Sequence, residues 1–566
     1  MDGCLFVIRH SSFNHSSFFH VNVGFLKNKH GRIICWAVVG LAFAAGLGLR
    51  LPELARKPMH TDEAVQAAKA GLLFDGGGYR YDPREFHGPT LYCFTLPALK
   101  YFSGAADYAH SSENDYRIVP ALFGAAAMLW LLLLADGLGF FATGAAALLM
   151  ALSPAGVYYS RYYIQETLLV FFSLGAIACG WRWLNCEHAA RRKLWAVAAG
   201  LCLGLMHATK ETCVLSWAAM GCGIWFARRG AVEEKSARKR EGIFTDAVLA
   251  LGAGVGVSVL FYSSFFTNAR GPLDSILTYG NYFSRAAEAD SGQARPFFYY
   301  AQLLLWNSTA LGAWSEGLIV VLAALGLLTA ITAAGSRRSR VSALPHPALL
   351  LRRFFVVYTL ALMLFYSAIS YKTPWCVLSM LSGLIVLAGV GCERIVLGTG
   401  FVVRGWRRAV WVGALSFVLL AGALHLGWQA YKGAFKFSSD ARNPYAYVHP
   451  TADARRLGER IEALTRAHPD GKKMAVRVMV PQADYWPLPW YLRRLEGVGY
   501  WSAPPANLDA PVLVVAPEFL AELRLELKGR YQVNAYGLRP GALVWLYVEE
   551  GLWGKFLEQQ SRRDGR

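Results

Sequence analysis

The chain has 566 residues, 55% of them hydrophobic and only 17% charged. Soluble globular proteins carry about 25% charged and about 45–50% apolar residues, so this composition excludes a soluble enzyme. The net charge of +19 does not indicate nucleic acid, because Lys and Arg gather in short clusters between long apolar runs, and 18 Trp, 27 Tyr and 32 Phe exclude disorder.

A membrane helix needs about 20 mostly apolar residues. In chain order that length predicts eleven spans, at 33–51, 117–135, 138–157, 166–184, 194–209, 211–227, 244–266, 306–334, 354–370, 375–397 and 409–430. Residues 1–32 have no cleavage pattern and are expected to form a cytoplasmic segment ahead of a retained anchor. Leu91–Phe102 is apolar but too short to cross, so an interfacial helix is expected there. With that choice the basic clusters at 27–32, 191–193, 228–240, 337–340 with Arg352 and Arg353, and 404–408 all fall on the cytoplasmic side. Segments 52–116, 267–305 and 431–566 then face outward.

The expected fold is an all-α polytopic membrane domain over 33–430, followed by a small extracytoplasmic α/β domain over 431–566. In that second domain the pattern predicts helices at Ala452–Ala467 and Glu518–Leu527. Strands are predicted at Lys473–Val480, Pro511–Ala516, Gln532–Tyr536 and Ala542–Val548. The ten cysteines include no CxxC, so a zinc ribbon is excluded, and Gly76–Gly78 lacks the Lys-Ser/Thr of a phosphate loop.

Ionisable residues collect at the outward hairpin ends. Met59-His60-Thr61-Asp62-Glu63 opens the first loop, where Thr61 is the expected helix cap and Asp62 and Glu63 fill the first turn. The turn Glu85-Phe86-His87-Gly88-Pro89 places His87 near headgroup level. Ser153-Pro154 precedes Tyr158-Tyr159-Ser160-Arg161-Tyr162-Tyr163-Ile164-Gln165-Glu166, whose tyrosines suit an aromatic belt. His207-Ala208-Thr209-Lys210-Glu211 interrupts an apolar stretch, and its Lys and Glu could pair with each other. Ser370-Tyr371-Lys372-Thr373-Pro374-Trp375 is a further outward turn. Acids near a membrane are costly to desolvate and are functional candidates by default.

Together, the acidic pair after the first helix, the His-x-Pro turn and the Ser-Pro-x3-Tyr-x-Ser-Arg-x4-acid motif resemble the integral-membrane GT-C glycosyltransferases. That superfamily includes protein O-mannosyltransferases and aminoarabinose transferases. Tyr371–Trp375 and Tyr485-Trp486-Pro487-Leu488-Pro489-Trp490-Tyr491 further resemble the prokaryotic flippase-activity-associated family of N-glycosylation.

The resemblance implies a hexosyltransferase at the plasma membrane that moves a sugar, with inversion, from a polyprenyl-phosphate-linked donor to a lipid, glycan or protein acceptor. It implies Asp62 as general base with Glu63 beside it, and Glu166 as a second acid near the acceptor or a metal. His87, Arg161, Lys210, Tyr371 and Lys372 would bind substrate, the cations facing the departing phosphate. A divalent cation on Asp62 and Glu166 would be Mg²⁺ or Mn²⁺, whereas Zn²⁺ would need His87. His-Gly-Pro replaces the His-Pro-Pro of the mannosyltransferases, and Gln165 stands where several relatives have an acid. Two alternatives are a flippase or flippase-associated transporter of lipid-linked oligosaccharide, and a non-catalytic membrane scaffold.

Overall fold

The computed structural model describes residues 29–84, 87–229, 242–287, 294–335, 346–402 and 406–564. Residues 1–28, Glu85, Phe86 and the basic residues expected at 230–240, 337–340 and 404–405 lie outside them.

Helix α1 (Lys29–Arg50) is the first apolar rod. The loop after it holds α2 (Thr61–Phe74) and the short α3 (Thr90–Tyr101), where the interfacial helix was expected. α4 (Glu113–Ala126) continues through a 3-10 stretch, Ala127–Leu134, into α5 (Ala135–Leu138). α6 (Phe140–Leu152) and α7 (Pro154–Ser160) meet at a bend of 58°. Ser153 caps the second of them by accepting from the Gly156 N–H at 3.1 Å, and Pro154, lacking an N–H, sits at its first position.

Next come α8 (Glu166–Asn185) and α9 (Ala189–His207), which pack together, and α10 (Cys213–Arg229), which packs instead on a later helix. After them come α11 (Ile243–Tyr262), the amphipathic α12 (Gly271–Ala287) and α13 (Tyr299–Leu305). The strands β1 (Asn307–Thr309) and β2 (Gly312–Trp314) form a hairpin, and α14 (Gly317–Gly335), α15 (His346–Ala368), α16 (Val377–Val402) and α17 (Trp406–Tyr431) complete the bundle.

The expected span 306–334 is therefore wrong in its first third. Gly312, at φ +102°, turns the chain back, and the indole of buried Trp314 donates to Thr309 Oγ1 at 3.1 Å. The polar Asn307-Ser308-Thr309 prefers a ladder at the membrane boundary to a helix inside it. Among the described residues, seven helices are long and apolar enough to cross a membrane, and α6 with α7 makes an eighth if the bent pair is one span. α9, α10 and α14 are shorter or less apolar and fall outside that number.

Small residues let the rods touch. A Cβ on Gly200 or Gly204 of α9 would lie 2.0 Å from Ala250 O or 2.1 Å from Gly254 O of α11. Gly326 of α14 and Gly391 of α16 meet the opposite helix in the same way.

The C-terminal region contains α18 (Ala452–Thr465), β3 (Val476–Met479), α19 (Leu488–Tyr491), β4 (Val498–Trp501), β5 (Val512–Val515), α20 (Leu520–Glu526), β6 (Tyr531–Arg539), β7 (Ala542–Glu549) and α21 (Glu550–Asp564). The five strands order as β4-β3-β5-β7-β6, parallel among the first three and antiparallel thereafter. β4, α19 and α21 were not expected. This domain sits on the first loop: Arg455 donates to Ala55 O at 2.7 Å, Arg493 to Tyr108 O at 3.3 Å and Arg494 to Ala109 O at 3.1 Å.

Candidate active site

The site begins at the N-terminus of α2. Its cap is His60, not the expected Thr61. His60 Nδ1 accepts from the Asp62 N–H at 3.1 Å, and Glu63 Oε2 reciprocates by accepting the His60 N–H at 2.9 Å. With Nδ1 an acceptor, the ring's proton is on Nε2, which faces Tyr447 O at 3.2 Å. The neighbouring acids then diverge, because successive helix residues point about 100° apart.

Glu63 turns inward and is fully buried. Its carboxylate takes two bonds of 2.7 Å from Arg117, on α4, and one of 2.8 Å from the Tyr163 N–H. Against the cost of burial, Arg117 and then Lys57 hold it well below the usual carboxylate range. A carboxylate with every acceptor direction used cannot take a substrate proton, so the catalytic role expected for Glu63 is corrected to that of a buried anchor.

Asp62, about 100° further round the helix, is not drawn into that buried pair. It is half-buried, and its carboxylate makes no hydrogen bond or ion pair among the described residues. Two phenols lie within its electrostatic reach: Tyr371, pushed up by burial and by Asp62, and Tyr447, pushed up by burial. Lys210 acts on Tyr371 as well, so this one phenol links the first loop to the second cluster.

In that cluster Lys210 and Glu166 form a buried ion pair, and Glu166 Oε2 is left without a partner. Lys210 is held above its ordinary value because, although burial opposes the charge, Glu166 favours it more. The next residue, Glu211, pairs not with Lys210 but with His87, Oε2 to Nδ1 at 2.7 Å, and its Oε1 is buried and unpartnered. Tyr282 on α12 also reaches His87 Nδ1, at 3.0 Å. Thus His87, Glu166 and Lys210 converge on adjacent turns.

Other expected binding residues are committed elsewhere. Arg161 donates to Arg50 O at 2.8 Å, Pro52 O at 2.7 Å and Glu53 O at 3.1 Å, closing the C-terminus of α1. Lys372 is buried and donates to Ile369 O and, at 3.2 Å, to Arg295 O. Substrate binding by either is corrected to a structural role, since their donors already satisfy backbone carbonyls. Tyr158, Tyr159, Tyr162 and Tyr163 are not a belt but buried packing, with Tyr158 donating to Ser438 O at 2.6 Å and Tyr159 to Tyr445 O at 3.1 Å. Tyr371, in contrast, is 43% exposed.

Tyr447 and its hydrogen-bond partner Arg295 were missed in the sequence. His60 and Trp486, whose carbonyl accepts from Thr61 Oγ1 at 3.5 Å, lay in motifs quoted there but had been given no role. No group of three or more His, Cys, Asp or Glu that could hold a metal occurs among the described residues. One oxygen of Glu166 is against the Lys210 ammonium, which leaves its unpartnered Oε2 and the Asp62 carboxylate as the donors for the expected divalent cation.

An apolar groove of about 1160 Å³ opens between α8, α9, α10, α11 and α15, with Leu203, Val255 and Phe354 among its walls. Its polar end is His207, whose Nδ1 is 2.6 Å from Ser258 Oγ and which lies within the field of Glu211.

Residues 92–262, under half of the chain, match the family model for dolichyl-phosphate-mannose-protein mannosyltransferase. The structure is similar to that of ArnT from Cupriavidus metallidurans bound to undecaprenyl phosphate, with a TM-score of 0.58 and 16% identity over 93% of this chain and 99% of that one. The apo state of the same protein gives 0.58 and 16%, over 91% and 97%. The Archaeoglobus fulgidus oligosaccharyltransferase gives 0.49 and 14%, over 88% and 72%. No curated protein matches the sequence.

Proposed function

We propose that this chain, a GT-C protein by its fold, is a membrane glycosyltransferase that transfers a sugar from a polyprenyl-phosphate donor to an acceptor hydroxyl on the extracytoplasmic side. The observation that carries the reading is the contrast at the start of α2: Glu63 is locked by Arg117, while the adjacent Asp62 carboxylate is half-buried, makes no hydrogen bond or ion pair among the described residues and lies within electrostatic reach of Tyr371 and Tyr447. The family match over residues 92–262 supports the same chemistry.

In this reading the acceptor oxygen attacks the anomeric carbon and Asp62 takes its proton. The bond from that carbon to the phosphate oxygen breaks, and the electron pair leaves with the lipid phosphate. A single base acting opposite the leaving group gives inversion. The Lys210–Glu166 pair supplies fixed polarity near the reacting centre without reorganisation. The donor's isoprenoid tail would lie in the apolar groove, whose outer end at His207 adjoins the Glu211–His87 pair.

The chain is a multi-pass membrane protein. We place it in the plasma membrane with eleven crossings and the sheet domain outside the cell, as the distribution of basic residues requires. The test is the product of purified protein with an α-linked polyprenyl-phosphate hexose and a cell-envelope acceptor, read by NMR. A β-linked product that Asp62→Asn forms at least about 10³-fold more slowly is expected. A retained anomer, or an unimpaired variant, refutes the role of the base.

A further inference from the structure

A helix start needs one side-chain acceptor as its cap, and Ser, Thr, Asp or Asn is the usual source. Thr61 stands next to the cap of α2, yet the cap is a histidine and the Thr61 hydroxyl donates instead to Trp486 O. A histidine carries what the shorter caps lack, a second ring nitrogen that donates while the first accepts.

Both nitrogens of His60 are used. Nδ1 accepts from the Asp62 N–H at 3.1 Å, and Nε2 donates to Tyr447 O at 3.2 Å. The ring is 4% exposed and is packed by Tyr162, Trp375 and His449, at 5.6, 5.8 and 5.6 Å between centroids. Its backbone is fixed as well, because the His60 N–H donates to Glu63, which Arg117 anchors. A ring that can neither turn nor slide transmits displacement, so the Asp62 main chain follows Tyr447. The segment carrying Tyr447 is itself held: the Tyr447 N–H donates to Tyr445 O at 3.1 Å, and that carbonyl also accepts from the Tyr159 phenol at 3.1 Å. Tyr447 therefore acts on Asp62 twice, through His60 by its carbonyl and through space by its phenol.

We propose that His60 is a positioning residue for Asp62, a rigid link by which the C-terminal segment 445–449 sets the placement of the base. The base and the segment that aims it are then far apart in sequence, and the link needs both ring nitrogens. This rests on the reading of Asp62 as the base, but the link itself is measured without turnover.

Amide substitutions separate the two bonds. In His60→Asn the side-chain oxygen stands near the Nδ1 position and caps α2, but nothing reaches Tyr447 O. In His60→Gln the amide N–H stands near the Nε2 position and reaches Tyr447 O, while the cap is lost. His60→Leu loses both. Amide hydrogen exchange of the full-length protein in detergent, read by mass spectrometry, should show faster exchange at 445–449 in His60→Asn with 59–65 unchanged. His60→Gln should show the reverse, and His60→Leu should show both. In the transfer assay kcat should fall about tenfold in His60→Asn and about 10²-fold in His60→Leu, as expected when a reacting group is slightly misplaced. The KM for the polyprenyl-phosphate hexose should not change, and His60→Asn should melt like the wild type, whereas a merely structural role would lower melting temperature and leave kcat per folded enzyme intact. Wild-type kcat in His60→Asn, a loss confined to KM, or exchange at 445–449 that ignores all three substitutions overturns the proposal. A wild type that forms no glycoside defeats the base assignment instead, and the exchange pattern still decides whether His60 joins the two segments.

Discussion

Two adjacent acids with opposite fates set the residue scale. Asp62 and Glu63 are chemically similar neighbours, yet only one has an arginine 54 residues away to bind. Removing one partner of a buried ion pair leaves the other charge uncompensated, which costs about 3–5 kcal/mol. Glu63→Gln should therefore lower thermal stability markedly in detergent, whereas Asp62→Asn should melt like the wild type. A melting curve for Glu63→Gln that overlays the wild type would show that the pair is dispensable.

Acid should act through the same neighbourhood. Burial holds His60 and His449 below the ordinary imidazole value, so the unfolded chain binds protons near pH 6.5 that the folded chain does not. Stability then falls as pH drops through that range. Glu63, depressed by Arg117, contributes stability that is complete above about pH 4.3 and lost below it. Two downward steps in melting temperature are expected on acidification, and His449→Phe should shrink the first. Rising stability between about pH 7 and 5 would contradict this. In the sequence, the acidic pair marked the place but not the division of labour, because which face of α2 is covered depends on α4. The misassignment of Arg161 and Lys372 has a related cause: a cation beside an apolar run reads the same whether it meets a ligand or a carbonyl.

Among elements, apolar length revealed most of the bundle, and α3 is a helix as short as its apolar run. The failures share one cause, the membrane boundary, where polar and apolar residues mix. There the β1–β2 hairpin was read as helix, and α12, whose pattern is amphipathic rather than continuously apolar, was read as loop. Contact between rods is also hidden in the sequence, since a glycine gives no sign of what it faces. Gly204→Leu should push α9 away from α11 and destabilise by about 1–3 kcal/mol or more. Gly252→Leu, where a Cβ meets nothing within 4 Å, is the matched control. Equal loss of folded protein from both, measured by size-exclusion recovery after heating, would remove the close approach as the explanation.

At the scale of the whole molecule, the C-terminal region packs on the start of α2 rather than hanging beside it. Tyr491 OH accepts from the Met59 N–H at 2.8 Å, Trp486 O receives Thr61, and Tyr447 O faces His60. These contacts join residues 387 to 432 positions apart, and through them motifs distant in the chain meet at the start of α2. The order of the motifs was legible and suggested the superfamily. The covering of α2 was legible only at the 485–491 run, because Trp486 and Tyr447 act through main-chain carbonyls, which leave little trace in side-chain identity.

The central claim is that this site breaks a glycosidic phosphate bond rather than moving an intact lipid. Proteoliposomes loaded with a radiolabelled polyprenyl-phosphate sugar and a soluble acceptor test it directly. The account predicts labelled glycoside with the wild type and none with Asp62→Asn. Labelled donor that changes leaflet without forming glycoside, or equal product from the variant, would contradict it.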